Sequence, residues 1–387
     1  MRRLFITVGV FMALTCLTVG QELPRGSARV DLPDAVKQPF REATATSEVK
    51  DPVRSARAEL DQGNQFFKNA NYSRAIDSYK LAISLYPSFF QAYYNLGVAY
   101  VDTREYREAA RAFEQALTLV PRSPSVLRYL GQIHHKLNEF ESAARYYSNW
   151  LAIDQESAVA HCGLGAAQAR LGKYAEAETS FAKALSLEPA SNEAVAGLCL
   201  VFTASRQDEK ALRYCARATQ LTPNAEVVHY LLGETYLNLQ RYEDALTPLI
   251  RAAELTPRDA IIHNSLGLAY FGLERYDKAV ASFQRSAQLE PGFAEAYTGL
   301  GSVYLKLKKY REAKDVFNKA LARDSASSVA HMNLALACLE LKQRDCALEQ
   351  YDILRLLDPP LAQTLYGRLF RNRVVEVPTG NAKDKPE

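Results

Sequence analysis

Apolar positions along this chain follow a helical period that breaks and restarts every 34 residues. Alanine marks the interval. Ala75, Ala109, Ala143, Ala177, Ala211, Ala245, Ala279, Ala313 and Ala347 are evenly spaced, with nothing inserted or deleted between them. Setting each alanine as position 20 of a unit gives nine consecutive units: residues 56–89, 90–123, 124–157, 158–191, 192–225, 226–259, 260–293, 294–327 and 328–361. Position 7 is leucine in eight units and position 8 glycine in seven, as in Leu130-Gly131. Position 24 carries a ring in Tyr79, Phe113, Tyr147, Phe181, Phe283, Phe317 and Tyr351, and position 17 is also aromatic in seven units.

These columns predict a pair of helices in each unit. Positions 4, 7, 8 and 11 share one face of a first helix, and positions 20, 24 and 27 one face of a second. Small residues at 8 and 20 let two backbones approach, and the rings at 11, 17 and 24 fill the space beside that contact. Proline at position 32, from Pro87 to Pro359, ends the second helix and sets the turn into the next unit. One such hairpin cannot bury both faces, so each unit must stack on its neighbours. After Pro359-Pro360, Leu361 to Phe370 read as one more helix, with Leu361, Leu365 and Leu369 on the side that covers the last unit.

With its Leu-Gly, Tyr, Ala, Phe, Ala and Pro columns, residues 56–361 resemble the tetratricopeptide repeat family in nine consecutive copies. The resemblance implies an all-α, right-handed superhelical solenoid of antiparallel helix pairs, with the first helices lining a concave groove. It implies a role in binding proteins through extended peptides or helices laid in that groove; no cofactor and no catalysis are expected.

The length alone, at about 100–200 residues per domain, suggests two or three compact domains, and the repeat replaces that reading with one array. Composition adds little: 48% hydrophobic and 24% charged residues rule out wholesale disorder. A net charge of +3, from 47 basic and 44 acidic side chains, argues against a nucleic-acid partner.

The N-terminal segment 1–20 reads as an export signal: Arg2 and Arg3 precede an uncharged, mostly apolar run from Leu4 to Val19, then small residues suited to cleavage. The expected location is periplasmic or secreted. The alternative is a membrane anchor, should this segment be retained. Residues 21–55, with Pro24, Pro33, Pro39 and Pro52, read as a flexible linker. Residues 362–387 read as the capping helix and a frayed polar tail.

Several strings that look like chemistry dissolve on the repeat frame. Gly163-Leu164-Gly165 and Gly299-Leu300-Gly301 fall inside first helices, not at a strand-to-helix phosphate loop. Ser180-Phe181-Ala182-Lys183 spans an ordinary position 24. His161, His229, His263 and His331 all occupy position 4, where a metal ladder competes with simple packing of a flat side chain. Helices about 8–10 Å apart and only one adjacent pair, His229 and His263, favour packing. Leader, linker, units and tail use the whole chain, which leaves no stretch for a catalytic domain.

Two cysteine pairs are candidates for bridging in an exported protein. Cys338 and Cys346 flank the inter-helix turn of unit nine, a spacing that resembles disulfide-bridged relatives of this repeat class. Cys199 and Cys215 occupy positions 8 and 24 of unit five, and both pairs also read as small buried apolar residues.

In the family, positions 2, 5, 9 and 12 of the first helices tend to face the groove. Here units two and three present Tyr94, Arg128, Gln132 and His135, whereas units six to nine present Tyr230, Leu237, Ile261, Leu268, Phe271, Leu305, Met332 and Leu336. The second set is apolar where solvent is expected, which marks a partner surface unless neighbouring units cover it. Asn64 and Asn95 fall on positions of the family's two-carboxylate clamp, but Leu60, Ser125 and Tyr129 stand where its basic residues belong. The expected function is a protein-interaction scaffold. The alternative is a self-associating component of a cell-envelope, secretion or pilus machine.

Overall fold

The computed structural model describes residues 51–370, so the expected signal, most of the linker and the tail beyond Phe370 lie outside the described residues. The described residues form 19 helices and no strand. They divide into two compact units, 51–231 and 232–370.

The first unit contains α1 (Pro52–Lys68) and α2 (Tyr72–Leu85), α3 (Phe90–Asp102) and α4 (Tyr106–Leu119), and α5 (Pro124–Lys136) and α6 (Phe140–Leu151). It continues with α7 (Ala158–Arg170) and α8 (Tyr174–Leu187), then α9 (Asn192–Ala204) and α10 (Asp208–Leu221). Helix α11 (Glu226–Asn238) contains the boundary between the two units. The second unit contains α12 (Tyr242–Leu255), α13 (Ala260–Gly272) and α14 (Tyr276–Leu289), α15 (Ala294–Lys306) and α16 (Tyr310–Leu321), α17 (Ser328–Glu340) and α18 (Arg344–Leu357), and α19 (Pro359–Leu369). Within each unit, helices joined by a short turn pack on each other, and each pair packs on the next.

Two boundaries differ from the sequence reading. Helix α1 starts at Pro52, inside the stretch expected to be linker up to residue 55, because Asp51 accepts from the Val53 N–H and Pro52 fits the first turn. The last helix starts at Pro359 rather than after the ninth repeat, capped by Asp358, whose carboxylate accepts from the Leu361 N–H. Ala362, Leu365 and Leu369 bury one side of α19 against the ninth pair.

The pair geometry follows from the glycine and ring columns. At Gly131 a β-carbon would lie 2.7 Å from the Tyr147 ring, and at Gly267 the same distance from Phe283. The position-24 ring therefore lies flat on the first helix of its own unit. Its other face meets the next unit. Gly163 closes on Tyr147, Gly197 on Phe181 and Gly299 on Phe283, so each ring is held between two glycines. Gly163-Leu164-Gly165 and Gly299-Leu300-Gly301 thus each touch two successive rings. Where position 6 is not glycine another solution appears: Tyr129 stacks on Phe113 at 4.7 Å with planes 10° apart. In unit five both columns are cysteine, and Cys199 and Cys215 are joined by a disulfide in the place of that contact. Cys338 and Cys346 are also bonded, and the one other cysteine among the described residues, Cys162, is free and buried.

The turn between the two helices of a unit is identical throughout. Its position 15 is left-handed in all nine: Ala70, Arg104, Asn138, Gly172, Arg206, Gln240, Glu274, Lys308 and Lys342 have φ from 56° to 73°. The next residue's N–H then closes on the carbonyl five back, as in Glu105 to Tyr100 at 2.8 Å and Gln343 to Cys338 at 2.8 Å. Four first helices instead start like α1 on side-chain caps: Ser157, Ser191, Asp259 and Ser327 accept from the opening N–H groups of α7, α9, α13 and α17.

Candidate binding groove

Within each compact unit, successive first helices touch one another more than successive second helices do. Side chains at positions 5, 9 and 12 of the first helices thus form the inner wall, where a partner would lie.

Polar pairs tie this wall from one first helix to the next. The Asn95 amide donates to Asn64 Oδ1 at 2.7 Å, the Ser265 hydroxyl to Glu234 Oε1 at 2.6 Å, and the Asn333 amide to Ser302 Oγ at 3.3 Å. In each case position 6 of one unit meets position 9 of the unit before it. Asn64 and Asn95, placed by sequence on clamp-like positions, are therefore spent on each other, and Asn64 also accepts from the Tyr79 hydroxyl. Low dielectric around such pairs makes leaving either member unsatisfied costly.

The position-4 histidines do not come together. Instead each Nε2 lies 3.0–3.1 Å from the carbonyl six residues earlier: His161 on Gln155, His229 on Pro223, His263 on Pro257 and His331 on Ser325. The ring N–H satisfies a carbonyl of the inter-unit turn, a role beyond the packing of a flat side chain. Among the described residues no group of three or more His, Cys, Asp or Glu is arranged to hold a metal ion. His134 has a different neighbourhood. Its Nδ1 lies 2.6 Å from Glu139 Oε2, and its ring stacks on Tyr146.

None of the expected groove residues is fully exposed. Tyr94, Tyr230, Ile261 and Met332 are buried, as is His135, at 9% exposure. Leu237, Leu268, Phe271, Leu305, Leu336 and Arg128 are half-buried. Of the apolar series seen in sequence, Tyr230, Ile261 and Met332, at positions 5 and 2, are covered, while Leu237, Leu268, Phe271, Leu305 and Leu336, at positions 9 and 12, keep an open edge. Among the described residues the most exposed large apolar side chain is elsewhere: Leu356, 87% exposed, on α18. Trp150 is buried in the core of the first unit.

Burial shifts Cys162 and His135 on the wall of the first unit. The Cys162 thiol is pushed up to about 11 by desolvation, so it is protonated and inert at neutral pH. The His135 imidazole is pushed down to about 4 by desolvation, with Arg170 and Lys136 adding to the effect, so it is neutral. No helix among the described residues is long and apolar enough to cross a membrane.

Family profiles described as "Tetratricopeptide repeat" match residues 98–158, 230–294 and 298–362, and further profiles match 270–325 and 158–191. A profile described as "TPR repeat" matches 63–103. No curated protein matches the sequence significantly. Among solved structures, the chain is similar to one titled "Crystal structure of APC/C hetero-tetramer Cut9-Hcn1", with a TM-score of 0.55 and 18% identity over 81% of this chain and 76% of that one. It is also similar to a tetratricopeptide repeat protein from Parabacteroides merdae, with a TM-score of 0.52 and 17% identity over 65% of this chain and 99% of that one.

Proposed function

The chain belongs to the tetratricopeptide repeat family, and from that premise we propose that it is a scaffold holding an extended peptide or a helix of a partner protein on the inner wall of its first helices. A protein-interaction role is what the fold class itself suggests. The observation that carries the finer reading is the open edge of that wall in the second unit. Leu268, Phe271, Leu305 and Leu336, at positions 9 and 12 of α13, α15 and α17, are half-buried, and Ser302 is the one polar side chain at those positions of the three helices. Half-covered leucine and phenylalanine at regular spacing suit the anchors of a partner segment.

The test is co-purification from a native extract with the wild type, with Phe271→Lys and Leu305→Lys, and with an outer-helix control, Lys319→Glu. Partners lost from the first two variants and kept by the control support the reading. Partners retained by all three overturn it. Tyr230 and Met332 are unsuitable probes, since both are buried and their substitution would disturb packing.

A second reading rests on a separate observation. Leu356, Leu357 and Tyr366 are exposed on the last two helices of the second unit, which would suit self-association or an assembly role. Light scattering of the wild type and of Leu356→Glu decides it: a mass that rises with concentration, and only in the wild type, supports this reading.

Export to an oxidising compartment belongs to the same proposal. The basic start and apolar run of residues 1–20 suit it, and two bonded cysteine pairs suit it too. N-terminal sequencing of the protein from fractionated cells tests this: an intact Met1 on a cytoplasmic protein would sink the proposal.

A further inference from the structure

Positions 11 and 19 of a unit face each other across the inter-helix turn, and in four units a noncovalent pair joins them. The Arg74 guanidinium lies 5.6 Å from the centre of the Phe66 ring, the Lys210 amine 5.0 Å from Phe202 and the Lys278 amine 5.5 Å from Tyr270. In unit four the Gln168 amide donates to Glu176 Oε2 at 3.5 Å. In unit nine the same two positions hold Cys338 and Cys346, and the contact is a disulfide. The fold therefore makes this clasp elsewhere from a cation on a ring or a single hydrogen bond, with no covalent link. The other disulfide has a different setting. Cys199 and Cys215 stand at positions 8 and 24, in the core contact that sets the distance between two helices, and both are fully buried.

A cleft of about 570 Å³ opens beside the clasp of unit nine, lined by Leu336, Leu339, Glu340, Lys342 and Arg368. Leu339, Glu340 and Lys342 belong to the loop that the disulfide closes, and Arg368 to α19. Cys338 is fully buried and Cys346 half-buried, so Cys346 Sγ is the sulfur that an external thiolate reaches. Partly exposed disulfides are the labile ones in thiol exchange.

We infer that Cys338–Cys346 is a redox-sensitive clasp, which a dithiol opens to free the turn of unit nine and the cleft beside it while the array stays folded. A thiolate of the dithiol attacks Cys346 Sγ, the S–S bond breaks, and Cys338 leaves and takes a proton. The second thiolate displaces Cys346 from the mixed disulfide and closes the reductant's own S–S bond. Two electrons and two protons pass to the protein, and the dithiol departs oxidised. Unit nine then has neither the ring nor the cation that clasps units one, five and seven. Its loop joins residues only 8 apart, against 16 for Cys199 and Cys215, so this bond constrains less of the unfolded chain. Two contacts that do not involve sulfur keep the hairpin in register: the Gln343 N–H donates to the Cys338 carbonyl at 2.8 Å, and the Lys314 amine to Gln343 Oε1 at 2.6 Å. Leu336 belongs to the wall proposed above to hold a partner, so the clasp sets the shape of that wall's end. Its opening does not depend on the scaffold reading.

The full chain in its oxidised form is titrated with dithiothreitol, alkylated, and followed by peptide mass spectrometry and hydrogen–deuterium exchange. At the concentration that labels half of Cys346, labelling of Cys199, Cys215 and Cys162 should stay below about a tenth. Amides of residues 338–346 and of α19 should then exchange about tenfold faster, while those of α15 and α16 keep their rates. Reoxidation with glutathione disulfide should restore slow exchange. Cys338→Ala/Cys346→Ala should exchange fast without reductant, whereas Cys338→Tyr/Cys346→Lys, copying Tyr270 and Lys278, should exchange slowly at every reductant concentration. Should the Tyr/Lys variant not fold, the wild-type titration and the alanine pair decide. Labelling of all these cysteines together, or exchange over 338–346 and α19 that reduction leaves unchanged, overturns the inference and leaves the scaffold reading untouched.

Discussion

Gly163 lies against the face of the Tyr147 ring so closely that a β-carbon at that position would fall within van der Waals contact of three ring carbons at once. Tyr147 is itself fully buried, with Gly131 on its other side. Gly163→Ala should therefore destabilise the protein by about 1–3 kcal/mol through overpacking, despite the roughly 1 kcal/mol that alanine gains over glycine inside a helix. Gly292, with nothing near its missing β-carbon, is the control, and its alanine variant should be neutral or slightly more stable. Urea denaturation followed by circular dichroism measures both. A Gly163→Ala midpoint at or above wild type would contradict the ring clamp.

The nine left-handed turn residues predict the opposite sign of effect for glycine. Lys308 has φ 59°, a conformation that costs a side-chain-bearing residue about 1–2 kcal/mol. Lys308→Gly should relieve that strain, less the 0.4–1 kcal/mol or so by which glycine loosens the unfolded chain, for a net gain of about 0.5–1 kcal/mol. Gly172→Ala, at φ 73°, should lose a similar amount. Thermal melts of the two single variants, moving in opposite directions, are the check.

The two disulfides differ in access. Cys199 and Cys215 are both fully buried, whereas Cys346 is half-buried. Mild reductant with alkylation, read by mass spectrometry, should label Cys338 and Cys346 first and Cys199 and Cys215 only as the chain unfolds. Cys199→Ala/Cys215→Ala should cost about 3 kcal/mol, as expected for removing a cross-link between residues 16 apart. Simultaneous labelling of all four thiols in the native protein without reductant would show that neither pair is bonded in solution.

His135 predicts a pH response. Its ordinary value is 6.5 and its folded value about 4, so between these two the unfolded chain binds the extra proton. Stability from this group is thus intact above about pH 6.5 and is lost as pH falls toward 4, by up to about 3 kcal/mol. His135→Gln should remove this component. The stability difference between wild type and variant should tilt with pH across that window by up to about 1.4 kcal/mol per unit. Parallel stability curves for the two proteins from pH 7 to 4 would contradict the assignment.

The pairing of helices was legible because alanine, glycine and aromatic side chains are what the close approach demands, and they recur in register. The left-handed turn was not legible: position 15 holds Ala, Arg, Asn, Gly, Gln, Glu and Lys, so what the units share there is a dihedral angle and not a side chain. The position-4 histidines were visible as a column, but the carbonyl each one meets belongs to the preceding turn, and sequence does not show the distance between them. Groove positions read as exposed from one unit alone, since a single hairpin carries no information about what its neighbour covers. Tyr230 and Met332 were overestimated for that reason, whereas Phe271 and Leu305 keep an edge free.

Equal length makes the nine copies look interchangeable, but the polar pairs between positions 9 and 6 say otherwise. Loss of residues 260–293 by recombination between neighbouring copies would keep the reading frame and the helical period. It would also set the buried Glu234 carboxylate opposite Gly299, without the hydroxyl of Ser265. Loss of residues 294–327 would bring Leu268 against Asn333, whose amide now meets Ser302. These junctions accept their own neighbour and penalise others, so a row of equal-length segments is held to its order by the chemistry of its seams.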